Sequence, residues 1–117
     1  MVDCRIFDSS GALARVCGDR ELLCELFNTL KEQAEKTIPE MHECIKTADL
    51  SSTLKKAHCL KGALSNLGAK AARIVAQDLE LAAQQGNAKR AETLIQILEG
   101  EIETFYNAFK SHQFDIS

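Results

Sequence analysis

From residue 19 onward, apolar side chains recur every three or four positions, the spacing of an α-helix with one buried face. Leu22, Leu23, Leu26, Phe27, Leu30, Ala34, Ile38, Met41 and Ile45 carry this pattern through about seven turns. Asp19 stands where an N-cap is needed, so one long helix is predicted over 19–47, bent before Pro39. A second run over 49–67 is capped by Asp49 or Ser51 and places Leu50, Thr53, Ala57, Leu60, Leu64 and Leu67 on one side. A third, over 69–85, has a narrow face of small residues: Ala72, Val75, Ala76, Leu79, Ala82 and Ala83. Gly86-Asn87 reads as a stop followed by a new cap. A last helix over 88–111 presents Ala91, Leu94, Leu98, Ile102, Phe105 and Phe109 on one side. Ahead of these, Asp8-Ser9-Ser10 caps a short helix over about 10–17 that Gly18 ends, and Ile6, Phe7, Leu13 and Val16 are placed to cover one end of the assembly.

No stretch alternates with a period of two, and no internal repeat or low-complexity linker interrupts the pattern. Four amphipathic helices joined by short turns predict an all-α fold, an antiparallel up-down-up-down four-helix bundle with a short extra N-terminal helix. The 117 residues suit a single domain, 1–117, with one core. Each helix has one apolar face to bury inside the bundle, so a monomer is expected.

Composition narrows the function. The net charge of −3 argues against nucleic acid as a partner, and no apolar run approaches the roughly 18 residues a membrane span needs. The N-terminus lacks a signal-peptide layout, so a cytoplasmic protein is expected. The five cysteines (Cys4, Cys17, Cys24, Cys44, Cys59) show neither C-x-x-C nor zinc-ligand spacing and read as reduced thiols. Cys59 follows His58 but points about 100° away on a helix, which argues against a His–Cys catalytic pair.

The chemistry concentrates on the 49–67 helix. At about 100° per residue, Ser51, Lys55, Lys61, Gly62 and Ser65 lie within roughly 60° of His58, with Leu54 at the margin. An exposed histidine is basic and nucleophilic while neutral near pH 7. Lys61, one turn on, is a mobile cation within reach of anything bonded to the ring. Gly62 costs about 1 kcal/mol against alanine inside a helix, which is consistent with a partner or phosphoryl group coming close. The bland alternative is a surface His near a surface Lys with a tolerated Gly. Three such residues on one face favour a site.

The segment Ala57-His58-x-Leu60-Lys61-Gly62-x-x-x-Asn66-Leu67-Gly68-Ala69 closely resembles the signature of histidine-containing phosphotransfer (HPt) domains of two-component phosphorelays. The Phe7-Asp8 lead-in, the Gly18-Asp19 helix start, Leu79-Glu80 and the Gly86-Asn87 turn extend the likeness over nearly the whole chain. The resemblance implies that His58 is the phosphorylated residue, Lys61 the cation beside the phosphoryl group and Gly62 the residue that opens room for it. It implies a phosphoryl carrier without kinase activity. Its partners would be response-regulator receiver domains and a hybrid sensor histidine kinase. No cofactor or metal of its own is expected, since the receiver supplies Mg²⁺. The partner surface is expected around His58, with Leu13, Leu54, Lys55 and Ser65 as candidates. Some members carry a Gln on the next helix near the histidine. Here that position falls at Glu80, with Gln77 a turn earlier, and a carboxylate facing a phosphohistidine reads as repulsive, so neither is given weight.

Three rivals remain. A degenerate, never-phosphorylated interaction module would share the fold, although the intact His58, Lys61 and Gly62 weigh against it. A metal or haem bundle built on His42, His58 and His112 lacks an inward-facing Glu-x-x-His pair. A hydrolase lacks a nucleophile elbow, a paired-carboxylate site and a phosphate-cradling loop.

Overall fold

A computed structural model describes residues 5–111. Five helices follow in order: α1 (Ser9–Arg15), α2 (Arg20–Lys46), α3 (Leu50–Asn66), α4 (Lys70–Gln84) and α5 (Ala88–Ser111). No described residue is in a strand. Asp8, Asp19, Asp49 and Asn87 cap α1, α2, α3 and α5 through side-chain oxygens that accept backbone N–H groups. These caps satisfy donors that the first helical turn leaves orphaned. The helix α2 runs unbroken through Pro39. Pro39 is exposed, so the Glu35 carbonyl that loses its partner stays within reach of water.

The four long helices close into a ring, α2 against α3, α3 against α4, α4 against α5 and α5 against α2. Three-residue turns reverse the chain at 47–49, 67–69 and 85–87. All three turns are built alike. In each, the second residue is left-handed: Ala48 at φ 57°, Gly68 at φ 73° and Gly86 at φ 75°. The third residue's N–H then reaches five residues back, Asp49 to Cys44 O at 2.8 Å, Ala69 to Leu64 O at 3.0 Å and Asn87 to Ala82 O at 2.9 Å. This is the Schellman closure of a helix end. In two of the turns that same third residue caps the following helix, so stop and start share one residue.

The 67–69 turn differs because its third residue, Ala69, has no side chain with which to cap α4. The segment ahead of α1 does the work instead. The Ala71 N–H donates to Arg5 O at 2.6 Å, and the Asp8 N–H donates to Gly68 O at 2.8 Å. Lys70 adds an ion pair to Asp8 at 3.4 Å. Gly68 is therefore needed twice, for its positive φ and because a Cβ there would sit 2.6 Å from the Asp8 carbonyl oxygen.

The N-terminal segment is anchored from the other side by Phe7, which enters an aromatic cluster with Phe27, Phe105, Tyr106 and Phe109. Phe27 and Phe109 stack with centroids 4.0 Å apart, and Phe7 meets Phe109 at 5.3 Å. Val16 is buried and Leu13 packs half-buried against the core, so α1 closes this end of the bundle. No described helix is long and apolar enough to cross a membrane.

The turns predict opposite responses to one-methyl changes. Gly68→Ala forces a Cβ into the left-handed region and onto the Asp8 carbonyl, and is expected to destabilise by about 2–4 kcal/mol. Ala48→Gly relieves left-handed strain at an exposed position and is expected to stabilise by about 0.5–1 kcal/mol. Urea midpoints at constant m-value measure both.

Candidate functional site

Helix α3 contains no acidic residue from Leu50 to Asn66. It buries Thr53, Ala57, Leu60 and Leu64 and turns the His58 stripe outward. Thr53 is fully enclosed without penalty because its hydroxyl donates to Asp49 O at 3.0 Å. The His58 side chain is 68% exposed.

Helix α4 lies alongside with a buried face made mainly of alanine: Ala72, Ala76, Ala82 and Ala83 around Leu79. Small side chains let two helix axes approach toward the lower end of the usual range of about 8–10 Å. Glu80 reaches across this narrow seam. Its Oε1 lies 3.2 Å from His58 Nδ1 and 3.1 Å from Lys61 Nζ. One carboxylate therefore ties together the two residues that the sequence singled out. Burial of Glu80 pushes its pKa up, but hydrogen bonds from Lys61 and His58 outweigh this and hold it below 4.5. At neutral pH it is an ionised acceptor only. The His58 proton must then sit on Nδ1 and donate to Glu80, which leaves the Nε2 lone pair on the other side of the ring.

Gly62 is exposed, and a Cβ built there would meet nothing within 4 Å. The protein itself therefore does not require the glycine, and the open space lies one turn beyond His58 on the same face. A shallow groove between α3 and α4 is lined by Leu54, Lys55, His58, Cys59, Glu80 and Gln84. Leu54 is half-buried at its edge. The other two candidates for the partner surface do not line this groove. Leu13 packs on the core, and Ser65 lines a second cleft with Arg15, Gly68, Lys70 and Arg73.

Gln77, the alternative to Glu80, accepts from Arg73 Nη1 at 3.4 Å along its own helix. Sequence reasoning passed over Glu80 by weighing its charge against a phosphoryl group. The signal that would have found it was the pairing it offers to Lys61 and to an Nδ1–H donor. Among the described residues, no group of three or more His, Cys, Asp or Glu gathers to hold a metal ion. His42 bonds Glu99 at 2.6 Å between α2 and α5, and His112 lies outside the described residues.

The profile of the Hpt domain family matches residues 25–109, from the second turn of α2 to the last turns of α5. The chain is 26% identical over 89 residues to the phosphorelay intermediate protein rdeA of Dictyostelium discoideum. That alignment covers 76% of this chain and 35% of the relative, so the chain spans about a third of that protein's length. The crystal structure of histidine-containing phosphotransfer protein B (HptB) from Pseudomonas aeruginosa PAO1 matches with a TM-score of 0.83 at 24% identity. The match covers 92% of this chain and 93% of that one, and shows a common fold.

The Glu80 bonds set a pH signature. A carboxyl held below its unfolded value stabilises the fold fully above that value and loses the contribution as pH falls through the folded pKa. The contribution of Glu80 is thus present at neutral pH and lost below pH 4.5. Thermal melts from about pH 6 down to pH 3 should show wild type falling more steeply than Glu80→Gln, with the two curves converging at the acid end. Parallel curves would remove Glu80 from the linkage.

Proposed function

The chain belongs to the Hpt domain family, and on that footing we propose that it is a phosphorelay carrier. In this reading His58 takes a phosphoryl group from the aspartyl phosphate of one receiver domain and passes it to another. The observation that carries it is the exposed ring of His58, bonded through Nδ1 to an ionised carboxylate that also holds Lys61, with Gly62 one turn on along the same face.

In the proposed step the Nε2 lone pair attacks phosphorus in line. An N–P bond forms, the P–O bond to the receiver's aspartate breaks, and that carboxylate leaves with the bonding pair. No proton moves, because Nδ1–H is retained. The ring gains positive character as the bond forms, and Glu80 lies 3.2 Å from Nδ1 to stabilise it. Lys61, now on Glu80, swings toward the incoming phosphoryl oxygens, a short motion for a flexible ammonium. Gly62 leaves room for the group. Phosphoryl transfer asks mainly for positioning and charge stabilisation, which these residues supply. Mg²⁺ belongs to the receiver's side of the complex, and no cofactor of the carrier's own is invoked.

The partners in this reading are response-regulator receivers and a hybrid sensor histidine kinase, met in the cytoplasm by a monomeric carrier without kinase activity. Leu54 and Lys55 at the groove edge form the near part of the docking surface.

Incubation with phosphoramidate is the direct test. Wild type is expected to gain one acid-labile phosphoryl group by intact mass and to lose it to a receiver. His58→Gln is expected to gain none, with unchanged helicity because the side chain is largely exposed. A wild-type chain that stays unmodified while a control histidine domain is labelled would instead indicate an interaction module that is never phosphorylated.

A further inference from the structure

Charge is unevenly distributed around the bundle. The helix α2 carries six glutamates against four cations, and α5 four against three. Helix α3 carries three lysines and no acid. Several surface cations are matched by a nearby carboxylate: Lys56 by Glu40, Lys46 by Glu43 and Lys61 by Glu80. The second cleft departs from this pattern. Arg15 from the end of α1 and Lys70 and Arg73 from the first turn of α4 converge around Ser65 and Gly68. Among the described residues, the acid shown to interact with them is Asp8, which pairs with Lys70 at 3.4 Å and also faces Arg15. Arg73 is held by the neutral Gln77. The cleft thus keeps a net positive charge on a chain whose net charge is −3.

Its position relates it to His58. Ser65 is seven residues along α3, two turns and about 10.5 Å away, and about 20° around the helix, so it lies on the same stripe. A specific protein interface covers about 800 Å² per partner, a disc of roughly 16 Å radius. A receiver centred on His58 therefore also covers the cleft. Arg15 and Arg73 would be desolvated against whatever that partner presents there.

We propose that the Arg15–Lys70–Arg73 cleft is the selectivity half of the docking face, and that it accepts receivers bearing a carboxylate cluster about 10 Å from their phosphoaspartate. This rests on the phosphotransfer reading above. Charge complementarity at this distance from the chemistry acts chiefly on encounter and partner choice. It should leave the reactivity of His58 toward a small donor untouched.

The test uses the full chain, phosphoramidate as the small donor and a panel of purified receiver domains. Arg15→Glu/Arg73→Glu is expected to label on His58 at the wild-type rate. Its second-order transfer to the preferred receivers is expected to fall at least about tenfold at low salt, with most of the difference vanishing near 0.5 M salt. Arg15→Lys/Arg73→Lys is expected to retain transfer. Arg15→Glu alone, at an exposed position of α1, serves as a second variant should the double one lose helicity, and is expected to show a smaller loss with the same salt dependence. Wild-type transfer rates in these charge-reversed variants at low salt would overturn the cleft's role and leave the carrier reading standing. A wild-type chain that labels but gives its phosphoryl group to no receiver would overturn that reading, and the cleft's role with it.

Discussion

The close approach of α3 and α4 is the constraint on which the site depends. Glu80 can bond both His58 and Lys61 only because the seam between the two helices is lined with alanine, and only because the turn at 67–69 sets their register. The register is not left to the turn alone. Backbone groups of Arg5 and Asp8 clamp it from outside, and Phe7 holds that strand of chain in the aromatic cluster. A contact at one end of the bundle thus fixes where a carboxylate falls beside the histidine. Displacing it by a single helical residue would swing Glu80 about 100° out of reach.

The site is divided between a fixed part and an open part. Glu80 and Lys61 are largely shielded, with side-chain exposures of 21% and 26%, whereas the His58 ring stands out at 68%. A nucleophile that must be reached by another protein has to be exposed, and exposure costs it orientation. The shielded carboxylate restores orientation from behind the ring, by fixing the tautomer. The bond is also stronger there than it would be in open water, because the seam excludes part of the solvent.

Individual helices were legible in the sequence because their signals are local. The spacing of Leu22 to Ile45, the caps at Asp19, Asp49 and Asn87, and the stop at Gly86 each act within a few residues. The His58 stripe was legible for the same reason, since periodicity assigns a residue to a face of its own helix. What lay beyond reach was the relation between helices. Ala69 offers α4 no side-chain cap, and the backbone partner that Ala71 finds instead is Arg5, more than sixty residues away. Ser65 shares a stripe with His58 but faces a different cleft, because α1 and the start of α4 close over that end. Glu80 reads as repulsive on charge alone, because neither its pairing with Lys61 nor the Nδ1 edge that faces it is visible along one helix.

In the proposed phosphorylated form, Glu80 stays on the Nδ1 side while the phosphoryl group is on Nε2. Hydrolysis needs water in line with the N–P bond, on the face of phosphorus away from the ring, and Glu80 is on the ring's other side. The carboxylate that helps the ring accept the group is therefore out of place to act as a general base against it. Lys61 can screen the phosphoryl charge without activating water. The same geometry that makes His58 a competent acceptor leaves release to whichever partner brings its own acceptor carboxylate and metal to the open side above Gly62.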